Sequence, residues 1–331
     1  VIVTRTPFRI SFFGGGTDYP GWFANHGGAV LSTTIDKYCY ISCRRLPPFF
    51  EHKHRLVYSS IENVESTDQI KHPAVKGIFN WLNVKEGLEV HHDGDLPARS
   101  GLGSSSAFTV GLIKALQGLE GKLISKEQLA KDAIYVEQCV IKENVGSQDQ
   151  VAAAFGGFNR IDFNRNGSFD VQPILTSPDT VNSLNNHLML FFTGFSRIAS
   201  EIADSKIKNL KNREQELMKM YSMVDESINI LQKGVGSIED FGMLLDESWQ
   251  YKKSLSSKVS TPEIDEIYDI AMKAGALGGK ILGAGGGGFI LFFAKPEVQP
   301  YIKNKLSHLI HVPFKFEDAG SRVVLYQPNG F

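Results

Sequence analysis

Apolar and polar positions alternate along this chain with two different periods, and the changes of period mark its elements. Val1–Ser11 and Lys37–Cys43 show the two-residue alternation of half-buried strands, and Arg55–Ser59 shows it more weakly. Pro73 stands where a first helical turn would begin, and the helical pattern runs to about Leu82. Leu88–His91 reads as a strand entering a loop of glycines and serines, and Ala107–Leu119 as the apolar helix leaving it. Ser125 and Gln128 form a capping box that opens a helix reaching about Lys142. Two strands follow, Phe158–Phe163 and Val171–Ile174, and then the Asn- and Ser-rich stretch Ser177–Asn186, which reads as the boundary between two lobes.

Beyond that stretch the pattern is richer in helix. His187–Thr193 reads as a buried strand, and Ser200–Lys233 as a long charged segment with a helical apolar period. Ser237, with Asp240 as its box partner, starts another helix. Thr261-Pro262-Glu263 starts a third, which Gly275 ends. A glycine tract lies between β-rich segments, and Val323–Tyr326 is a final strand. A chain of 331 residues exceeds what one hydrophobic core usually serves. The expected fold is therefore α+β and two-lobed. Residues 1–180 would form a mixed α/β, nucleotide-binding lobe, and residues 181–331 a helix-rich α+β lobe carrying the glycine tract.

Composition narrows the classes of partner. Apolar residues are 42% and charged residues 21%, as in ordinary globular proteins. A net charge of -1 gives no electrostatic footprint for nucleic acid or an anionic membrane. No apolar run approaches the length of a membrane span, and no basic-then-apolar leader opens the chain. Cys39, Cys43 and Cys139 form no C-x-x-C pair and read as reduced, buried packing residues. These features together lead us to expect a cytoplasmic protein with a small-molecule substrate and no membrane or nucleic-acid partner; they leave its oligomeric state open. The histidines form no helical metal-binding pair, and His91-His92 alternate faces of a strand.

The loop Pro97–Ala107, PARSGLGSSSA, carries the first candidate chemistry. Gly101 and Gly103 allow positive φ and close approach of backbone to a ligand. The N–H groups and positive dipole end of the following helix favour an anion there, most often a phosphate. No lysine follows the second glycine as an ordinary P-loop requires. Ser104, Ser105 and Ser106 can cap the helix or offer a hydroxyl to a phosphate-bound cation. In the later tract, Gly283, Gly285 and Gly288 satisfy the dinucleotide pattern G-x-G-x-x-G. That pattern needs a following helix, whereas Phe289–Phe293 reads as a strand, so a hairpin pressing its backbone on a neighbouring loop is expected instead. Asp149, in GSQDQ, is either a helix cap or a carboxylate aimed into a cleft, and the residues alone leave both open.

Three ordered motifs bear on this choice: RTPFRISFFGGGTD (Arg5–Asp18), PARSGLGSSSA and KILGAGGGGF (Lys280–Phe289). Together they resemble the GHMP kinases, a family of small-molecule kinases, over most of the chain. The stretches Gly14–Pro20, Gly146–Gln150, Ala153–Asn159 and Thr193–Arg197 are similar to those of its members that phosphorylate heptose phosphates. The resemblance implies phosphoryl transfer from ATP, with Mg2+, to the anomeric hydroxyl of a sugar phosphate. D-glycero-D-manno-heptose 7-phosphate is the favoured acceptor; fucose or an N-acetylhexosamine, and a non-catalytic sugar sensor, are the alternatives. It implies Asp149 as catalytic base and Arg9 beside it, orienting the carboxylate and stabilising charge in transfer. Arg99, Ser100, Gly101, Leu102, Gly103, Ser104, Ser105 and Ser106 would bind the nucleotide, and Ser105 and Glu137 the metal. Gly15, Gly16, Thr17, Asp18, Arg197, Gly285, Gly286 and Gly287 would face the acceptor. Gly15 and Gly16 replace a Glu and a His of the galactokinase motif, which argues against galactose and leaves room for a longer sugar. Arg44, Arg45, Lys252, Lys253 and Lys258 join Arg197 as cations available for a distal phosphate.

Overall fold

The computed structural model describes residues 1–194 and 213–327. Its first sheet contains β1 (Ile2–Phe13), β2 (Gly28–Arg45), β3 (His54–Val57), β4 (Ile61–Val64), β5 (Leu88–Gly94), β6 (Phe158–Phe163) and β7 (Phe169–Pro173). A second sheet contains β8 (Leu188–Phe192), β9 (Gly278–Ile281), β10 (Phe289–Phe293) and β11 (Ile310–His311). The chain then returns to the first sheet, where β12 (Phe316–Glu317) pairs with β2 and β13 (Arg322–Tyr326) with β1. The helices are α1 (Pro20–His26), α2 (Pro73–Trp81), α3 (Ser104–Leu119), α4 (Lys126–Tyr135), α5 (Gln148–Phe155), α6 (Pro178–His187), α7 (Glu214–Gln232), α8 (Ile238–Ser254), α9 (Pro262–Lys273) and α10 (Gln299–Lys305). The architecture is α+β, as expected. None of the described helices is long and apolar enough to cross a membrane.

The order along the first sheet is β13-β1-β2-β5-β3-β4, antiparallel except between β3 and β5. Helix α3 lies across β1 and β2. Gly111 makes that approach close: a Cβ there would stand 2.9 Å from Thr6 Oγ1, while the Thr4 hydroxyl donates to Gly111 O at 3.0 Å. The core on this side gathers Ile2, Ile10, Ile41, Val110 and Leu112, all fully buried. The second sheet buries every side chain of β10, Phe289 to Phe293, and packs against Trp249, Ile264 and Ile302. Burial on both faces explains why this strand reads as an unbroken apolar run.

Several sequence expectations need correction. Ser177–Asn186 is not irregular: the Ser177 hydroxyl accepts from Thr180 N, Pro178 occupies the first turn, and α6 follows. β1 to β7 belong to the first sheet and β8 to β11 to the second, while β12 and β13 return to the first sheet. Ser125 does cap α4 through Gln128 N, yet the Gln128 side chain reaches forward to Asp132 instead of back to Ser125. Ser237 precedes α8 without a side-chain cap bond, so that box does not form. Thr261 and Pro262 open α9 as expected. Strand β2 extends nine residues before Lys37, because Leu31–Ile35 pairs with β1 and Gly28–Thr33 with β6. Of the segment Ser200–Lys233, the described part is helical as α7 and the remainder lies outside the described residues. Cys39 and Cys43 are buried and their thiols are pushed up by burial, but Cys139 is exposed.

Candidate active site

The loop after β5 turns three times through the left-handed region, at Arg99 (φ 57°), Gly101 (φ 89°) and Gly103 (φ 74°). Gly103 is the N-cap, so α3 begins at Ser104, three residues earlier than its apolar pattern starts. The serines therefore lie inside the first turn and leave the cap to backbone. Ser104 Oγ accepts from Arg99 N at 3.0 Å, and Ser100 Oγ donates to Pro97 O at 2.6 Å. Both bonds hold the loop closed over the helix end. The free N–H groups and positive dipole end of α3 lie at this loop, a setting that favours an anion.

The glycine tract is the loop of a β9–β10 hairpin, followed by strand, which excludes the dinucleotide reading. Its backbone lies directly on the phosphate loop. Phe289 N donates to Ser100 O at 3.0 Å. A Cβ on Gly283 would stand 2.5 Å from Gly101 Cα, and one on Gly288 2.2 Å from Ser100 O. Gly285, Gly286 and Gly287 form the tip with φ of 113°, 75° and 143°. Gly286 N donates to Val259 O at 2.9 Å. Two buried lysines clip the hairpin in place: Lys252 Nζ donates to Ile281 O (2.6 Å) and Gly283 O (2.8 Å), and Lys280 Nζ to Phe12 O (2.6 Å).

Arg9 reaches this loop from β1. Its Nε and Nη2 donate to the two carboxylate oxygens of Asp149, both at 2.7 Å, and its Nη1 donates to Gly101 O at 2.6 Å. A bidentate pair fixes the plane of the carboxylate as well as its position. Asp149 lies in the first turn of α5, after the N-cap Ser147, so it is not a helix cap. A Cβ on Gly103 would stand 3.4 Å from Asp149 Oδ2, which places the carboxylate at the mouth of the phosphate loop.

Glu137 sits where the helical segment after α4 widens into a π-helical turn, Val136–Val140, closed by Ile141 N donating to Val136 O at 2.8 Å. Such turns often mark functional positions, because one extra residue redirects a side chain. Glu137 is buried; its Oε2 accepts from Ser106 Oγ (2.9 Å) and from the Gln150 amide, while Oε1 has no hydrogen-bond partner among the described residues. Burial pushes its carboxyl up to about 7, against the Thr109, Ser106 and Gln150 groups that favour the charged form. The hydroxyl bonded to Glu137 is that of Ser106, whereas Ser105 is exposed on the same turn. A buried carboxylate beside this loop, held by Ser106 and Gln150 with the Thr109 hydroxyl near it, offers the hard oxygen that a small divalent cation takes.

Among the four residues expected to face the acceptor from the β1–α1 turn, the roles divide. Thr17 is buried and bonds Gly14 O, Ala29 O and Ala29 N through its hydroxyl, so it braces the turn and does not face the cleft. Asp18 is also buried; its oxygens accept from Gly16 N and from Gln148 Nε2, each at 2.9 Å. Burial, together with the nearby Asp149 charge, raises its carboxyl above the usual range. A Cβ on Gly15 would meet nothing nearer than Ser11 Oγ at 3.8 Å, and one on Gly16 would lie 3.1 Å from Leu217.

The proposed cations are mostly engaged elsewhere. Arg44 pairs with Glu89, Arg45 with Glu86 and Glu120, and Lys253 with Asp265. Lys252 serves the hairpin. Lys258 is exposed next to Val259, which receives the hairpin tip. Arg197 lies outside the described residues. Sequence reasoning missed Ser11, Thr109, Gln148 and Gln150. Gln148 and Gln150 flank Asp149 in GSQDQ, and two amides beside one carboxylate were the available signal.

The GHMP kinases N terminal domain matches residues 68–157, and the GHMP kinases C terminal domain matches residues 229–308. The chain is 33% identical over 308 residues to D-glycero-alpha-D-manno-heptose 7-phosphate kinase of Campylobacter jejuni, covering 89% of this chain and 90% of that protein. The chain belongs to the GHMP kinases. This GHMP kinase is also 25% identical over 317 residues to the bifunctional fucokinase/GDP-fucose pyrophosphorylase of Arabidopsis thaliana, covering 87% of this chain and 29% of that protein. In fold it is similar to the crystal structure of a D-glycero-D-manno-heptose 1-phosphate kinase from Bacteroides thetaiotaomicron, with a TM-score of 0.80, 24% identity and 98% of each chain covered. Members of the family are ATP-dependent kinases, so this GHMP kinase is an ATP-dependent phosphotransferase. The matched segments contain the phosphate loop, Glu137, Asp149 and the glycine hairpin; Arg9 and Asp18 precede them.

Proposed function

We propose that this GHMP kinase phosphorylates the anomeric hydroxyl of D-glycero-D-manno-heptose 7-phosphate, giving the 1,7-bisphosphate. The observation that carries the reading is the Arg9–Asp149 pair held against Gly103. A hydroxyl bonded to Asp149 would thereby stand beside whatever phosphoryl group the loop holds, which is the alignment that in-line transfer needs. In the step, the anomeric oxygen forms a bond to phosphorus, the bond to the ADP oxygen breaks, and the hydroxyl proton passes to Asp149. Arg9 fixes the direction of the carboxylate and lies close to the charge that develops in transfer.

ATP supplies the phosphoryl group, and Mg2+ neutralises charge on its phosphates. Glu137 Oε1 and the Ser105 hydroxyl are the groups that would hold Mg2+, with Ser106 and Gln150 orienting the Glu137 carboxylate. The loop from Arg99 to Ser106 would bind the nucleotide phosphates. Asp18, Gly15, Gly16 and the hairpin tip Gly285–Gly287 would border the acceptor. Arg197 and Lys258 are the proposed contacts to its distal phosphate.

Support for the heptose phosphate comes from the Campylobacter relative and from the open space at Gly15. A second reading, a kinase of free L-fucose or a related hexose, is favoured by the similarity to the Arabidopsis fucokinase. The deciding experiment measures ADP release with the heptose 7-phosphate, the free heptose, L-fucose and N-acetylgalactosamine. The phosphorylated heptose should have the largest specificity constant, and Arg197→Ala or Lys258→Ala should lower it about tenfold or more. Equal constants for the two heptoses would remove the distal phosphate from the reading. Turnover of L-fucose alone would replace it, and no turnover with any sugar would leave a sensor.

A further inference from the structure

The chain returns to the first sheet through β12 and β13, and residues 318–321 between them lie against the end of α5. Helix α5 has only eight residues and carries Asp149 in its first turn. The carbonyls of its last turn need partners from beyond the helix. Gly156 N donates to Ala152 O at 2.9 Å, Ser321 N to Ala153 O at 2.8 Å, and Lys126 Nζ to Phe155 O at 2.7 Å. Gly320 closes over this end with no space for a side chain, since a Cβ there would stand 2.2 Å from Ala154 O. The Ser321 hydroxyl reaches the other way, to β1. Its Oγ is hydrogen-bonded to Thr6 Oγ1 at 2.8 Å, and both residues are buried. Thr6 lies three residues before Arg9 on β1, and Ala153 lies four residues after Asp149, about one turn further along α5. One residue thus bonds both elements that supply the Arg9–Asp149 pair: its amide holds the helix and its hydroxyl holds the strand.

The two ties between β1 and α5 differ in kind. The Arg9–Asp149 pair is partly open, with the Asp149 side chain 25% exposed, and it changes during transfer. On accepting the hydroxyl proton the carboxylate loses its negative charge, and a neutral carboxyl holds a guanidinium less strongly. The Ser321–Thr6 bond is uncharged and buried, so it is the same before and after the proton moves. We infer that Ser321 is a positioning residue for phosphoryl transfer. It fixes the spacing of α5 against β1, and with it the placement of the Asp149 carboxylate at the phosphate loop. A misplacement of about 1 Å costs on the order of a hundredfold in rate, so the loss of one such bond is visible in turnover. The inference rests on the proposed reading of Asp149 as the base.

Kinetics of Ser321→Ala, Thr6→Val and Thr6→Ser test it, each measured well below the variant's melting temperature with the sugar that the wild-type enzyme turns over. Ser321→Ala and Thr6→Val each remove one hydroxyl and should lower kcat about five- to twentyfold. Half-saturation for ATP and for the sugar should move less than about twofold, because both residues are buried. Thr6→Ser keeps the hydroxyl and should stay within about twofold of wild type. The double variant Ser321→Ala/Thr6→Val should match the single ones, since all three lack the same bond. Asp149→Asn separates this inference from the reading beneath it. Near-normal turnover of Asp149→Asn would discard the base and the positioning role with it, as would a wild-type enzyme that turns over no sugar. A slow Asp149→Asn beside a normal Ser321→Ala would discard the positioning role alone. Added to Asp149→Asn, Ser321→Ala should change the residual rate less than about twofold, because no base is left to place. A merely structural role would lower the rate by the same factor in both backgrounds, and that result would overturn the inference. So would half-saturation values that rise as kcat falls, or a Thr6→Ser enzyme as slow as Thr6→Val. If Ser321→Ala fails to fold, Thr6→Val and Thr6→Ser decide the matter.

Discussion

The two ends of the proposed site, one for nucleotide and one for acceptor, are built from different materials. At the nucleotide end the work is done by backbone: Gly101 and Gly103 turn the loop, and the β9–β10 hairpin lies on it with no room for a single Cβ at Gly283 or Gly288. At the acceptor end side chains do it: Arg9 grips Asp149, Asp18 holds Gln148, and Gly15 borders open space. The difference follows from what each end must recognise. Phosphate oxygens are met by N–H groups that every residue but proline carries, so close backbone approach is the requirement. Sugar hydroxyls are told apart by the number and direction of donors and acceptors, which only side chains can vary. Substitutions should therefore break the nucleotide end as structure and retune the acceptor end as specificity.

The most direct attack on that contrast places the same methyl group at each end. Gly288→Ala puts a Cβ 2.2 Å from Ser100 O at a φ of 90°. It should cost on the order of 4 kcal/mol of stability and abolish turnover, as judged by denaturant unfolding and an ADP-release assay. Gly15→Ala should stay within about 1 kcal/mol of wild type in the same unfolding experiment. Similar losses at both positions would dissolve the distinction between the two ends.

Asp149→Asn should lower turnover about a hundredfold or more, equivalent to about 3 kcal/mol of barrier, and leave ATP binding by titration calorimetry within a few-fold. Near-normal turnover would make Asp149 a structural partner of Arg9.

Glu137 supplies a pH test at the nucleotide end. Its folded-state carboxyl is raised to about 7, above the ordinary glutamate value of 4.5. Between those values the folded protein keeps a proton that the unfolded chain has released. The group's contribution is thus fully present below 4.5 and is lost as pH rises through 7, by about 3 kcal/mol. In chelator-treated protein, urea unfolding of Glu137→Gln should match wild type near pH 4.5 and exceed it above pH 7. With Mg2+ present, the same variant and Ser105→Ala should each need more metal for half-maximal rate; unchanged titrations for both would take them out of the metal's surroundings.

The smallest expected effect is that of Ser104→Ala, which removes the bond to Arg99 N. A loss of about 1 kcal/mol should appear in ATP half-saturation, with little change in that of the sugar. An equal change in both would mean that the ends are mechanically coupled through α3.

Much of this was legible in the sequence. The glycine motifs stand in local patterns that only a few backbone shapes satisfy, FILFF is apolar enough to declare a strand buried on both faces, and Arg9, Asp18, Glu137 and Asp149 were picked out by their match to the family's motifs. Less legible were features decided by partners far along the chain. Gly28–Asp36 is a strand because β1 and β6 flank it, and Phe316–Glu317 is one because it pairs with Thr34 and Ile35 in the gap that β6 and β5 leave along β2. The Asn- and Ser-rich stretch became helix once Ser177 capped it and Leu184 found a place in the core. Ser11 and Gln148 lie inside two of the motifs, yet that their side chains come close together appears only when β1 and α5 meet.

By itself, then, the sequence determined where the chain must turn. It also determined which strands are buried, because those properties reside in φ and side-chain volume within a few residues of one another, while Arg9, Glu137 and Asp149 reach the glycine loop only through tertiary contacts. Tertiary structure alone decided which serine meets Glu137, that the Gln148 amide turns its nitrogen to Asp18, and that Thr17 turns inward while Gly15 leaves space. Each of those choices depends on atoms far away along the chain, and a hydrogen bond is won or lost over less than about one ångström.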